Sequence, residues 1–520
     1  MKLLERMIAS VAPKAALSRA VARHKLDVLN SGYSHHGAST SKKSMIGWNY
    51  GGGGPDEDII LNLSTLRQRS RDLYMGGAAL ATGAIKTART NIIGTGLKLK
   101  PAIDADFLGI SPDEAADLKR IVEREFLLWA ESVECDASRR DNFYELQQLA
   151  CLSQLMSGDC LVLLPMVKRA GNTYDTRIRL IEADRCCDPP NKEGRDILGG
   201  VEVDEYSGVA AYWFVNQHPL GKQDKKKEWV RVEAFGKQTG RRNVLHLMES
   251  ERPEQRRGIP ILAPVIESLK QLGRYTEAEL MAAVVSGMFT VFIESESSDN
   301  PLGVMMDDEI DQGDPNSYEL GNGAIVGLSP GEKISMANPG RPNTAFDGFV
   351  TSILRQVGAA LEIPYELLVK NFTSSYSASR AALLEAWKMF RMRRSWMASD
   401  FCQPIYEEWF AESVAKGRIP ALGFFDDPLF CKAYLKAEWH GPSAGQLDPL
   451  KEATAAKMRV EEGFSTRERE TAELTGGDFE MNHRQRVREE SMRRRDGLLI
   501  EGGEKQNDNN QQQLLDDDDK

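Results

Sequence analysis

The chain has 520 residues, enough to bury several cores, and length alone suggests roughly two to four domains. At 41% hydrophobic and 28% charged residues, with a mean hydropathy of −0.41, its composition is that of a water-soluble protein. A formal charge of −11, from 66 basic against 77 acidic residues, excludes a generally basic, tightly gripping nucleic-acid binder; any such contact must be local or weak.

Seven cysteines are scattered without a CxxC pair, which predicts free, mostly buried thiols in a reducing compartment. The histidines are equally dispersed, and His35–His36 stands in a Ser/Gly-rich stretch without partners, so no zinc site is expected. Lys14, Arg19 and Arg23 interrupt the apolar N-terminal segment, so no signal peptide and no export are implied. Residues 1–55 read as a flexible arm and linker: a basic segment to Asn30, then polar sequence closing on Gly51–Gly54. Those glycines lack the Gly-Lys-Ser/Thr of a phosphate loop.

A helix carrying Arg67, Arg69 and Arg71 follows, its arginines expected on a solvated face or in salt bridges. Small and apolar residues come next, and Gly94-Thr95-Gly96 turns into a strand. Ser111, Pro112 and Glu114 spell a capping box, opening a helix that buries Leu118, Ile121, Val122, Phe126 and Trp129. Another helix, Asn142 to about Met156, ends at Ser157-Gly158-Asp159. Strand patterns then recur from Cys160, over 177–183, 200–206, 209–215, 229–234 and 243–248, with a hairpin turn at Tyr206–Gly208. Helices first and antiparallel strands after predict an α+β, helix-rich domain.

The stretch from Arg252 to Ile293 organises the chain. A basic loop ends in Gly258, Pro260 and Pro264, and helical periodicity runs from Ile261 to Met288, about 40 Å of strut at 1.5 Å per residue. Its first half has an apolar stripe of Leu262, Val265, Ile266, Leu269 and Leu272. Its second half sets Leu280, Met281, Val284, Val285 and Met288 among Ala278, Ala282, Ala283, Ser286 and Gly287, a composition that permits close helix approach. A buried core helix fits this periodicity equally well. A membrane span does not, because Glu279 and Glu294 bound an uncharged run shorter than the roughly 20 residues a bilayer needs.

Residues 294–341 read as a loop-rich insertion with a short strand, Ala324–Leu328, and an acidic run at Asp307, Asp308, Glu309 and Asp311. A second apolar helix spans Ala345–Glu362 and stops at Ile363-Pro364. A hydroxyl-rich loop, Lys370–Arg380, feeds a long helix from Ala381 to about Val414 with a kink at Pro404; 415–440 read as irregular. Charged short helices, split at Gly463 and Gly476-Gly477, occupy 448–492 before a polar, disordered tail. The closing Asp-Asp-Asp-Asp-Lys resembles a protease-cleavage tag.

The chain contains no Walker A, GxSxG, HExxH, EF-hand or dinucleotide-binding signature. A metal-dependent nuclease would need carboxylates such as Asp307-Asp308-Glu309 or Glu461-Glu462, which read better as solvated faces. No catalytic residue, metal ligand or cofactor is expected. An adaptor that binds partners through its charged helices without enclosing DNA is the other alternative.

The order of segments resembles a tailed-bacteriophage portal protein of the lambda type. The resemblance is carried by LRQRSRDLYMGGAALATGAIKTARTNIIGTGLKLKP, IRLIEADRCCDP, GVEVDEYSGVAAYWFVNQHP, HLMESERPEQRRGIPILAPVIESLKQLGRYTEAEL, ALEIPYELLVKNFTSSYSASRAALLEAW and AEWHGPSAGQLDPLKEATAAKMRVEEGFSTR. It implies a head-to-tail connector, a ring of about twelve copies at one capsid vertex through which double-stranded DNA is packaged and ejected. It further implies docking to the terminase large subunit, to head-tail connector proteins and to capsid or scaffold proteins, with the host cytoplasm as the place of assembly and no membrane partner. Its parts fall on this sequence as a wing (56–260), stem helices (261–290 and 345–362), a clip (291–344), a channel loop (363–380), a long helix behind the loop (381–415), a helical crown (416–495) and an acidic tail (496–520). Candidate DNA-channel residues are then Lys370, Asn371, Thr373, Ser374, Ser375, Tyr376 and Arg380. Candidate subunit contacts are Arg252, Arg256 and Arg257 before the strut, with Ala278, Ala282 and Ser286 on it. A duplex that must slide should meet few deep phosphate contacts, and one arginine per chain becomes a charged circle in a ring.

Overall fold

The computed structural model describes residues 53–221, 226–287, 291–295, 332–336, 345–372, 375–445 and 448–498. Backbone contacts divide the chain into Met1–Asp58 and Ile59–Lys520, and the architecture is that of the second unit.

Helix α1 (Pro55–Asp72) breaks at a kink over Leu73–Gly77, where Gly76 leaves helical geometry, before α2 (Ala79–Ile92). Ala81, Ala84, Ile85, Ala88 and Ile92 of α2 are all buried, and the alanines let neighbouring helices approach closely. After β1 (Lys98–Pro101) and a short α3 (Ala105–Leu108) comes α4 (Pro112–Ala130). Its expected capping box is present: Ser111 Oγ accepts from Glu114 N at 3.2 Å, and Glu114 Oε2 accepts from Ser111 N at 2.8 Å. Helix α5 (Phe143–Ser157) has a second capping box through Asn142 and Glu145, and ends on Gly158 at φ 88°.

Two antiparallel sheets follow, as the alternating strand patterns predict. One has the order β3–β2–β8, with buried β2 (Asp159–Leu163) between β3 (Arg179–Ile181) and β8 (Val244–Met248). The other runs β4–β5–β6–β7 through Asp196–Leu198, Val201–Val203, Val209–Val215 and Trp229–Glu233. The Tyr206–Gly208 turn is fastened by Asp204, whose Oδ1 accepts from Tyr206 N and Gly208 N.

Helix α6 (Ile266–Gly287) and α7 (Phe346–Ala360) are the struts, joined to antiparallel strands β9 (Val291–Ser295) and β10 (Glu332–Met336) with Ile293 opposite Ile334. The expected strand Ala324–Leu328 and the acidic run at Asp307 lie outside the described residues. After α8 (Tyr365–Val369), the long helix comes in two parts, α9 (Tyr376–Met397) and α10 (Gln403–Ala415), with a π turn at Ala398–Cys402. Where a kink is expected at Pro404, the helix carries a π turn that ends two residues before it, with Gln403 N donating to the carbonyl of Ala398, and Pro404 takes its place in the first turn of the next segment.

The core gathers on α4, α5 and α10. Phe126 packs edge-on against Phe143 at 5.4 Å, Trp409 at 5.0 Å and Trp439 at 6.0 Å. Trp439 belongs to a region expected to be irregular, yet α11 (Pro428–Leu435) and β11 (Ala437–His440) form there, and β11 pairs antiparallel with β1, Leu99 opposite Trp439. Helices α12 (Pro449–Glu461), α13 (Arg467–Thr475) and α14 (Phe479–Arg495) complete the described chain, broken near Gly463 and Gly476 as expected; both take positive φ, 75° and 68°.

Gly158 and Gly258 cross with no space for a side chain: a Cβ on either meets the backbone carbonyl oxygen of the other. This crossing seats the strut's leader on the end of α5. Gly258→Ala is expected to destabilise the fold by roughly 1–3 kcal/mol, read as a lowered melting temperature, because backbone rather than a flexible side chain must move.

Candidate functional site

The leader to the first strut is held by a buried charge cluster. Asp159, at the start of β2, receives Arg67 of α1, whose Nη2 reaches both carboxylate oxygens at 2.9 Å. Arg257 Nε donates to Asp159 Oδ2 at 2.6 Å and its Nη2 to Oδ1 at 3.1 Å. The rest of the Arg257 guanidinium donates to the carbonyls of Cys186, Ala183 and Gly199, and Gly258 N reaches Asp159 Oδ2 at 3.3 Å. Burial alone pushes the Asp159 carboxyl up, but the guanidiniums of Arg257 and Arg67 outweigh it and hold it well below the usual carboxylate range. His246, 3.3 Å from the same carboxylate, is pushed down by burial despite that neighbour.

Of the two alternatives for Arg67, a solvated face or a salt bridge, the salt bridge is the one present: Arg67 is buried and joins α1 to Asp159 and to the carbonyl of Ser157. Arg257, expected at a subunit contact, is buried in its own chain, because its guanidinium is already saturated by one carboxylate and three carbonyls. Arg256 pairs with exposed Asp196 of the same chain at 2.7 and 2.9 Å, while Arg252 lies exposed.

A 3-10 turn at Ala263–Val265 takes up Pro264, so the strut begins at Ile266 rather than Ile261 and its 22 residues span about 33 Å. Its near half is core, with Leu262, Val265, Ile266, Leu269 and Leu272 buried, as are Leu354, Val357 and Leu361 on the second strut's side. Farther out, Tyr275 stacks on Phe346 at 5.5 Å and meets Phe349 edge-on at 5.1 Å. Beyond that contact the apolar residues of the first strut face water, Leu280 being 65% exposed, Met281 59% and Val284 46%, and Phe349 within it is still 51% exposed. Ala278 is exposed and Ala282 half-buried in the same half, and Ser286 belongs to the helix's last turn.

The hydroxyl-rich loop is shorter than expected. Lys370 ends α8 in the left-handed conformation at φ 55°, with Asn371 N donating to Glu366 O at 3.0 Å. Helix α9 then starts at Tyr376, not Ala381, because Ser375 caps it by accepting from Ala378 N at 3.4 Å. Tyr376 and Arg380 are therefore helical, and Arg380 lies 3.9 Å from Glu452 of α12. Lys370, Asn371 and Ser375 are exposed; Thr373 and Ser374 lie outside the described residues.

Among the described residues one group has metal-ligand chemistry, Glu182, Asp184 and His218, with ligand atoms within 4.8 Å. Asp184 is already met by Arg71 at 2.5 Å and Arg67 at 3.4 Å, so guanidiniums supply the charge a cation would bring. No helix among the described residues is long and apolar enough to cross a membrane.

The phage portal protein model of the lambda family matches residues 41–394. The chain is 26% identical over 490 residues to portal protein B of Escherichia phage lambda, covering 90% of this chain and 91% of that one. The portal protein of Escherichia phage N15 matches with the same identity and coverage. Among solved structures, the neck of a native gene transfer agent particle computed with C12 symmetry matches at a TM-score of 0.41 and 12% identity, covering 78% of this chain and 93% of that chain. With more than half of its length matched by one family model, the chain belongs to the lambda family of phage portal proteins.

Proposed function

We propose that copies of this chain close into a ring of about twelve at one vertex of the phage head and act, without enzymatic chemistry, as the channel for double-stranded DNA. Within a family of portal proteins, the observation that carries this reading is the far half of the strut pair. Leu280, Met281, Val284 and Phe349 are apolar and exposed in a single chain. Leu280 and Val284 stand one helical turn apart, and apolar residues exposed on one helix face mark a surface that another protein covers, while heterologous contacts repeated by rotation make rings. Residues 291–344 would then be the clip that meets the terminase large subunit and later the head-tail connector proteins, the wing would meet capsid or scaffold proteins, and Lys370, Asn371, Thr373, Ser374, Ser375, Tyr376 and Arg380 would lie nearest the duplex.

Light scattering on the purified full chain tests the reading, with an expected mass of about twelve times 57.9 kDa. A monomer under assembly conditions contradicts it. For the channel, Lys370→Ala with Arg380→Ala is expected to leave that mass unchanged and to alter the fraction of heads that retain a full genome, since each lost cation removes one circle of phosphate attraction. Unchanged retention removes these residues from the channel and leaves the ring standing. Ser375 is a poorer probe, because its loss would also uncap α9 at about 1 kcal/mol.

A further inference from the structure

The last three helices join the rest of the chain in a way no other element does. No residue of α12, α13 or α14 belongs to the hydrophobic core, and of all their side chains only Ala456 and Glu470 are buried. Glu470 is engaged inside the group by Arg459, at 2.9 and 2.6 Å, which ties α12 to α13. What reaches outward is charge. Lys100, on β1 and only 8% exposed, has its ammonium 2.7 Å from Asp478, 3.6 Å from Glu480 and 3.9 Å from Glu468, all from this group, and 3.5 Å from Glu123 of α4. Two weaker pairs lie along α9: Arg391 with Glu473 at 3.7 Å and Arg380 with Glu452 at 3.9 Å.

One ammonium thus faces four carboxylates, one on the core side and three on the helices that dock there. Arg484 also takes a share of Glu480 at 3.3 Å. Without Lys100 the sign of the contact reverses, because Glu123 would then confront Glu468, Asp478 and Glu480 across the junction. Burial raises the Glu123 carboxyl, with Lys100 opposing the shift and Asp478 and Glu480 adding to it. Apolar burial, the usual adhesive between packed helices, contributes little here.

We infer that α12–α14 form a separately releasable cap, latched to the core chiefly through the ammonium of Lys100 with the two weaker pairs on α9 beside it, so that the ionic surroundings set whether the cap is docked or free. The inference stands apart from the ring reading, since every group in it belongs to one chain.

Hydrogen exchange on the full chain tests it. Lys100→Met keeps an unbranched chain one atom shorter and removes the charge. Amides of Arg467–Thr475 and the first turns of Phe479–Arg495 are expected to exchange about tenfold faster in this variant, while those of Phe143–Ser157 and of Ala437–His440, which pairs with the strand bearing Lys100, stay within about twofold. Salt supplies a second readout. At 1 M NaCl, where the screening length is about 3 Å, cap exchange should speed up in the native protein, whose latch is attractive. It should slow down in Lys100→Met, whose junction is repulsive, and adding Glu123→Gln should slow it in the same way. Cap exchange that ignores the substitution, that rises in step with Phe143–Ser157, or that answers salt with the same sign in both proteins overturns the latch.

Discussion

Asp159→Ala is expected to lower the stability of the chain by about 3–5 kcal/mol, the largest loss at any single position considered, because it leaves two guanidiniums buried against each other with only Asp184, 3.4 Å from Arg67 and shared with Arg71, to offset them. Arg67 and Arg257 both lie on this carboxylate, and the three residues come from α1, from β2 and from the leader to the strut. A shift of the urea midpoint, or loss of soluble protein, reads the effect. The same cluster sets a sign for acid. A carboxyl whose folded pKa lies below its unfolded value of about 3.8 contributes stability that is fully present above that value and lost as pH falls through the lower one. The cluster therefore holds through the neutral range and yields only in strong acid. Asp159→Asn should remove most of that acid step. An Asp159→Ala protein as stable as the native one would show that the strut is anchored by its apolar near half alone.

Leu280→Glu with Val284→Glu is expected to do the opposite: no measurable change in the fold of one chain, and no assembly. Both side chains are exposed in a single chain and stand one helical turn apart, so they share a face. Exposed substitutions shift stability within about 0.5 kcal/mol. A carboxylate buried unpaired at a contact between copies costs several kcal/mol, and a ring repeats that cost at every junction. Circular dichroism should report a native melt and light scattering a monomer. Intact rings from this variant would mean that the far strut faces something other than a neighbouring copy.

Much of the fold is legible in the sequence because the signals are local. The Ser111 and Glu114 capping box, the Gly158 stop, the hairpin at Asp204–Gly208 and the strands around Leu161 and Phe214 follow from neighbours within a few residues, and all are present. What was misjudged depends on partners far along the chain. Ala437–His440 has no strand signal of its own and becomes one by pairing with Lys98–Pro101. Arg67 and Arg257 look like surface arginines in sequence, and nothing within several residues of either announces Asp159. The strut was overextended at its start because prolines tolerated in a first helical turn are equally at home in a 3-10 turn. The loop before α9 was overextended because Ser375, one hydroxyl among several, turned out to be the cap. Lys100 shows the same limit, since three of its four carboxylates lie more than three hundred residues away in the chain.

The central claim is that Ile266–Gly287 and Phe346–Ala360 stand side by side around a shared bore, many copies closing on it. Class-averaged electron micrographs of the purified full-length protein test this most directly. The account predicts rings with a central passage wide enough for a DNA duplex, walled by the strut pairs. Solid particles of one or two chains, or rings whose struts lie away from the passage, would contradict it.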